Sequence, residues 1–117
     1  MNEVVHLELH TPDLAGARSA YAALCGWHAQ QVPTASGCYE ALGVGEHIGG
    51  GIVECGTPRA LWLPYVRVGR IDVSAARARE LRGRDLLEPR EGPTGWRAVV
   101  SLPAGGEIAF WQPKAWT

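Results

Sequence analysis

Three polar side chains near the N-terminus could carry out acid–base chemistry. In residues 4–10, His6, Glu8 and His10 alternate with apolar residues. Successive side chains of a strand point to opposite faces, so this pattern predicts a β-strand with one apolar face and one polar face. On the polar face, Glu8 could act as a general base with His6 or His10 as its acid partner.

A structural role fits the same residues equally well. His10 could be a surface residue at the end of the strand, and Glu8 could pair with Arg67 or Tyr65. Residues four apart on a strand are separated by roughly 13 Å, which is too far for His6 and His10 to share one ion through bonds of about 2 Å. We therefore expect no metal site and no other cofactor.

Composition limits the function classes. The chain has 117 residues, 46% of them hydrophobic, with a formal net charge of −1, which suits one globular domain. Nucleic-acid binding is not expected, because the arginines of residues 67–84 are interrupted by acidic residues instead of forming a basic patch. No apolar run is long enough for a membrane span, the N-terminus does not resemble a signal peptide, and three cysteines without metal-ligand spacing suggest reduced thiols. These features predict a cytoplasmic protein.

The segment after the first strand predicts a helix and three further strands. Asp13 is placed to cap a helix over residues 14–24, and Gly26 is placed to end it. Strands are expected at residues 27–32, 38–44 and 47–55. The run Gly49-Gly50-Gly51 weakens the last strand, and it indicates a bulge or a close approach of a ligand.

The second half repeats this order with a constant shift of 57 residues, which places Leu14 on Ile71, Gly26 on Gly83 and Tyr39 on Trp96. Asp72 or Ser74 is expected to cap a helix that runs to about residue 81 and ends at Gly83. Strands are expected at residues 61–68, 86–88, 96–102 and 107–112. The prediction is one α+β domain over residues 1–117, made of two βαβββ modules at about 1–56 and 57–117.

The segments that carry this order are residues 5–14, 24–27, 62–68 and 103–113. Together they resemble the vicinal-oxygen-chelate superfamily, also called the glyoxalase / bleomycin-resistance / extradiol-dioxygenase fold. The resemblance implies two βαβββ modules forming a cup-shaped, partly open mixed β-barrel, with helices outside and a small organic ligand on the concave face. It also implies a homodimer, and Trp116 near the C-terminus could contribute to the dimer contact.

Metal-dependent members of that superfamily place ligands on the first and last strands of each module. His6 matches the first position, whereas the other three positions hold Leu63, Val53 and Ala109. Glu54, next to Val53, should point to the opposite face unless the strand has a bulge. The resemblance therefore implies a member that works without a metal.

Strand parity assigns further residues to the concave face. Tyr65 and Arg67 match Glu8 and His10 in the repeat, and Trp111 shares a face with Ala109. With His6, Glu8 and His10 these form the predicted ligand site. Trp62 is expected to pack under a helix.

Three functions remain open. The first is metal-independent binding or sequestration of a bulky natural product or antibiotic, as in bleomycin-resistance proteins. The second is an isomerase, cyclase or lyase that uses Glu8 with His6 or His10. The third is a glyoxalase-like metalloenzyme completed by Glu54.

Overall fold

The computed structural model describes residues 1–34, 37–56, 60–92 and 94–114. The first residues of the predicted second module, 57–59, and the predicted dimer residue Trp116 lie outside these ranges. The order of elements is β-α-β-β-β twice, which confirms the α+β class and the repeat. In chain order they are β1 (Val4–Thr11), α1 (Leu14–Cys25), β2 (Ala29–Thr34), β3 (Gly37–Leu42), β4 (Gly49–Glu54), β5 (Leu61–Arg67), α2 (Ile71–Glu80), β6 (Arg84–Glu91), β7 (Gly95–Ser101) and β8 (Glu107–Pro113).

The chain divides into two compact units, Val5–Leu63 and Pro64–Thr117 together with Met1–Val4. We call them the first and the second unit. In the first, the strand order is β2-β3-β4-β1, with β1 parallel to β4 and antiparallel pairs elsewhere. In the second, the order is β5-β8-β7-β6, with β5 parallel to β8. Each unit is thus a four-stranded mixed arrangement with one helix.

The core of the first unit lies between α1 and the apolar faces of its strands. Leu9, Leu42 and Ile52 are 1–3% exposed, and Leu14 and Tyr21 of α1 pack against them. Asp13 caps α1 as predicted, because its side chain accepts a hydrogen bond from the backbone N–H of Gly16 at 3.0 Å. Gly26 ends the helix in the left-handed conformation at φ 70°, also as predicted.

The second helix begins and ends differently from the prediction. Neither Asp72 nor Ser74 caps α2, since the side-chain oxygen of Gln112 on β8 accepts from the backbone N–H of Ile71 at 2.8 Å. At the other end the left-handed residue is Arg82, at φ 66°, and not Gly83. Gly83 is needed for space, because a Cβ there would lie 2.8 Å from the carbonyl oxygen of Ala78.

The core of the second unit forms around α2 and the strands that follow it. Val66, Val68, Ile71 and Ala98 are buried together, with Ile108 and Phe110 packed against them. A turn precedes β8, with Gly105 and Gly106 at positive φ. Neither helix in the described part of the chain is long and apolar enough to cross a bilayer.

Candidate functional site

The polar face of β1 is buried as well as polar. Leu9 packs into the core beneath α1, so the alternating side chains of the strand point to the opposite face. Glu8 there is only 7% exposed, and in register it lies beside Gly51 of the parallel strand β4. A carboxylate is costly to bury unless polar neighbours stabilise it.

Two histidines supply those neighbours. Nε2 of His10 lies 2.7 Å from Oε1 of Glu8, and Nε2 of His6 lies 3.4 Å from Oε2. An ionised carboxylate can only accept, so His10 donates through its Nε2–H. The three residues predicted from the alternation are therefore brought together, although their Cα atoms are spread along the strand.

A fourth member of the group, Tyr39 on β3, was missed by the sequence analysis. Its hydroxyl oxygen lies 3.2 Å from Nε2 of His6, and its hydroxyl donates to the carbonyl oxygen of Gly50 at 3.3 Å. Burial and the negative charge of Glu8 raise the pKa of Tyr39 to about 12. Tyr39 therefore stays protonated, and able to donate, well above neutral pH. We refer to Tyr39, His6, Glu8 and His10 as the polar cluster.

The glycine run of β4 makes room for the polar cluster. A Cβ added at Gly51 would collide with the hydroxyl and ring of Tyr39, and one added at Gly49 would lie 2.8 Å from Nδ1 of His6. The predicted close approach at these glycines is thus made by the chain's own side chains. The sequence did contain a signal for this arrangement. Three consecutive glycines on one strand leave space that a large side chain from a neighbouring strand, here Tyr39, can occupy.

The opposite face of the same strands carries a different set of charges. Glu40, 5% exposed, forms an ion pair with Arg18 of α1 at 2.8 Å. Oε2 of Glu54 accepts from the backbone N–H of Leu14 at 3.1 Å, at the start of α1. Glu54 therefore lies at the helix and not beside His6.

The superfamily's metal positions do not fit a metal in this chain. Leu63 is 2% exposed and Ala109 is fully buried, and neither they nor Val53 has a donor atom in its side chain. Among the residues that the structure describes, no group of three or more His, Cys, Asp or Glu side chains is placed to hold a metal ion. The polar cluster is instead connected by hydrogen bonds.

The remaining predicted site residues belong to the second unit. Tyr65 is 6% exposed, Arg67 is exposed, and Trp111 is half-buried. Arg67 lies beside Trp111 in the parallel pairing of β5 and β8. An open cavity of about 440 Å³ in this unit is lined by Arg67, Gln112 and the first residues of the chain, but not by Tyr65 or Trp111.

Trp62 packs under a helix, as predicted. Its ring meets Tyr21 of α1 edge-on at 5.1 Å between centroids, and Trp27 edge-on at 5.9 Å. Its indole N–H donates to the hydroxyl of Tyr21 at 3.0 Å. This aromatic group belongs to the helix side of the first unit and is separate from the polar cluster.

Comparison with solved structures identifies the fold. A hypothetical protein, BH1468 from Bacillus halodurans C-125, matches 99% of this chain and 97% of its own, with a TM-score of 0.71 and 13% identity. Methylmalonyl-CoA epimerase from Mycobacterium tuberculosis matches 96% of this chain and 88% of its own, with a TM-score of 0.60 and 17% identity.

A third match is a methylmalonyl-CoA epimerase in complex with methylmalonyl-CoA and NH4+, which covers 98% of this chain and 96% of its own at a TM-score of 0.62 and 16% identity. No protein-family model and no curated protein matches the sequence. Methylmalonyl-CoA epimerase is a member of the vicinal-oxygen-chelate superfamily. At these identities the likeness establishes the fold, and the chain has the fold of the vicinal-oxygen-chelate superfamily.

Proposed function

We propose that this protein is an enzyme that moves a proton at a carbon next to a carbonyl group, as an isomerase, epimerase or lyase would. The single observation that supports this most is the contact of Glu8, buried at 7% exposure, with His10 at 2.7 Å. A carboxylate that holds one nitrogen of an imidazole fixes its tautomer and stabilises its charged form. Such a pair is a common arrangement for a general base.

The roles follow from which atoms are engaged. Nε2 of His10 donates to Glu8, which leaves Nδ1 as the basic nitrogen, and the His10 side chain is 28% exposed and can meet a ligand. When the C–H bond of the substrate breaks, its proton goes to Nδ1 and its electron pair moves toward the carbonyl oxygen, forming an enolate. Glu8, whose side chain is 9% exposed, then offsets the charge of the imidazolium. His10 then returns a proton from Nδ1 to the carbon, which regenerates its neutral imidazole, and His6, at 26% exposure, serves as a hydrogen-bond donor.

This ordering reverses the one made from sequence, in which binding came first. Binding was placed first because three of the four metal positions of the superfamily hold Leu63, Val53 and Ala109. The polar cluster instead places a carboxylate, two imidazoles and a phenol in contact, and ionisable groups concentrated in this way are typical of catalytic sites. The fold itself is compatible with either function.

Ligand sequestration is the second candidate, and a specific observation favours it. Trp111 is half-buried and pairs in register with Arg67, so its indole could stack on a planar ligand. Under this proposal Tyr65, Arg67 and Trp111 of the second unit bind the bulky natural product or antibiotic, and the polar cluster has only a structural role.

We further propose a cytoplasmic homodimer. Leu24 at 79%, Leu81 at 63% and Val73 at 50% exposure leave apolar surface that a second copy could cover. Cys25 and Cys55 are free thiols, as expected in a reducing compartment. Light scattering at micromolar concentration should give about twice 12.6 kDa, and a monomer at high concentration would refute the dimer.

Exchange of carbon-bound hydrogen tests the enzyme proposal directly. The protein is incubated in D₂O with a panel of α-branched acyl-CoA thioesters, starting with methylmalonyl-CoA because of the matching epimerases, and with α-branched ketones and ketoacids. Mass spectrometry should detect deuterium at the α-carbon with the wild type, and an exchange rate about 10²–10⁴-fold lower with Glu8→Gln. Exchange that is equally fast with Glu8→Gln would contradict the assignment. Tight binding without any exchange would favour sequestration.

A further inference from the structure

Tyr39 is the member of the polar cluster that neither the alternation of β1 nor the superfamily resemblance points to. Its side chain extends from β3 across β4, and the pairing of β4 with β1 places its hydroxyl beside His6. We propose that the hydroxyl of Tyr39 and Nε2 of His6 together bind the substrate oxygen that becomes negative when the proton leaves. This inference rests on the proposed function, and it assigns the substrate class as carbonyl compounds that react through an enolate.

The two donors are close enough to share one acceptor. The two atoms lie 3.2 Å apart in a hydrogen bond to each other, and a substrate oxygen that replaces this bond can accept from both. Tyr39 also donates to the carbonyl oxygen of Gly50, at 3.3 Å. Hydroxyl hydrogen bonds to oxygen are usually 2.5–3.0 Å long, and those to a charged oxygen are at the short end of that range. An enolate oxygen therefore offers Tyr39 a stronger acceptor than the one it has.

The surroundings keep Tyr39 suited to this role. Its pKa of about 12 means that the phenol is neutral at neutral pH, so it presents a proton and not a negative charge. The absent side chain at Gly51 leaves room for the ring, and the contacts of the hydroxyl with His6 and with the carbonyl oxygen of Gly50 hold it there. A fixed donor costs little reorganisation when charge develops on the substrate.

The charge of Glu8 does not oppose this role during the reaction. The carboxylate would repel an oxyanion nearby if it were the only charge. As the substrate loses its proton, however, His10 gains it and becomes an imidazolium 2.7 Å from Glu8. The Glu8–His10 pair is then close to neutral at the moment when the substrate oxygen becomes negative. It therefore does not repel the oxygen that Tyr39 and His6 bind.

Binding of a small enolate mimic tests the inference without requiring turnover. The probe is propionate-3-nitronate, a dianion whose planar nitronate group carries its charge on oxygen as an enolate does. Calorimetry should show that Tyr39→Phe weakens its binding by about 10–100-fold relative to the wild type, the effect of removing one donor to a charged oxygen. Tyr21→Phe removes the hydroxyl of a tyrosine on the helix side and is the matched control, expected to stay within about twofold.

A spectroscopic reading separates a role in binding from one in folding. With tyrosine labelled by ¹³C at Cζ, the Tyr39 signal should move when the nitronate binds, while the Tyr21 signal stays. Unchanged nitronate affinity in Tyr39→Phe, or no nitronate binding by the wild type, would overturn the inference. If nitronate binding depends on Tyr39 but no substrate exchanges deuterium, the donor pair stands and the proton-transfer proposal fails. If exchange depends on Glu8 while Tyr39→Phe binds nitronate normally, only this inference fails.

Discussion

The first strands of the two units hold equivalent places in the repeat but carry different side chains. On β1, Glu8 lies in register beside Gly51 of β4 and belongs to the polar cluster. At the corresponding place in the second unit, Tyr65 of β5 lies beside Ala109 of β8, which is fully buried. The order of elements is the same, but only the first unit has a last strand that opens space for large polar side chains.

The difference lies in how each unit uses its glycines. In the first, Gly51 accommodates the hydroxyl of Tyr39 and so brings a donor into a buried polar group. In the second, a Cβ at Gly95 would collide with the backbone carbonyl of Gln112 and would also lie 2.8 Å from the indole nitrogen of Trp111. A glycine therefore makes room for proton chemistry in one unit, as we propose, and for the close approach of a neighbouring strand in the other.

The largest expected effect comes from comparing single substitutions at the equivalent positions Glu8 and Tyr65. Glu8→Gln preserves the shape of the side chain but removes its charge, so it should lower the α-proton exchange rate by about 10²–10⁴-fold. Tyr65→Phe removes one hydroxyl and should lower the same rate by about tenfold or less. Both rates are measured by deuterium incorporation at substrate concentrations that saturate each variant. Equal losses in the two variants would show that the units do not differ in the way proposed.

A second expected effect concerns the space at Gly51. Gly51→Ala forces the ring of Tyr39 out of its place, and overpacking of this kind costs about 1–3 kcal/mol in the free energy of unfolding. Gly43→Ala is the control, because a Cβ there would meet nothing within 4 Å, and a change within about 0.5 kcal/mol is expected. Urea unfolding measures both variants. A neutral Gly51→Ala would show that Tyr39 can lie elsewhere at no cost.

Combining this change with a smaller residue at position 39 sharpens the result. Tyr39→Leu should relieve the clash, so the double variant with Gly51→Ala should be less destabilised than the sum of the two single variants. A sum that is simply additive would mean that the two residues do not contact each other in solution.

Local patterns predicted the parts of the molecule that depend on neighbours in sequence. The alternation of β1 correctly separated Leu9, which packs into the core, from Glu8 on the opposite face. The cap at Asp13 and the left-handed Gly26 were also predicted, since both are contacts within one turn of chain. Trp62 was assigned to the helix side by parity alone.

Contacts between distant segments were beyond those patterns. Tyr39 reaches His6 from 33 positions away, through the pairing of three strands, and nothing next to Tyr39 in sequence marks it as polar-facing. Gln112 caps α2 from 41 positions away, which no local capping rule contains. Gly83 was misread because α2 ends two residues earlier, relative to the repeat, than α1 does. The polar cluster was therefore predictable in its β1 residues and not in its phenol.

Smaller effects are expected at the two helix caps, one of which is a local contact and the other a contact between distant segments. Asp13→Ala removes the side-chain acceptor for Gly16 and should cost about 1 kcal/mol. Gln112→Leu removes the acceptor for Ile71 and should cost about 0.5–1.5 kcal/mol, although the changed residue lies on a strand. Urea unfolding at neutral pH gives both values. Asp13→Ser, which restores a cap, should recover most of the first loss, and no recovery would contradict the capping role.

The smallest expected effect is a dependence of stability on alkaline pH. The folded-state pKa of Tyr39, about 12, lies above the value of 10.0 for a free phenol. Between these values the unfolded chain loses its proton while the folded chain keeps it, so the contribution is complete below pH 10 and is lost as pH rises toward 12. The ring is only partly buried, so solvent screening should limit the loss to about 1 kcal/mol or less.

The measurement is the free energy of unfolding at pH 9, 10 and 11, compared between the wild type and Tyr39→Phe. The wild type should lose more stability than Tyr39→Phe between pH 10 and 11, because only the wild type carries the titrating phenol at this site, while Tyr21→Phe should follow the wild type. Parallel curves for wild type and Tyr39→Phe would mean that Glu8 and burial do not hold the proton on Tyr39. The first unit would then lack the neutral donor that sets it apart from the second.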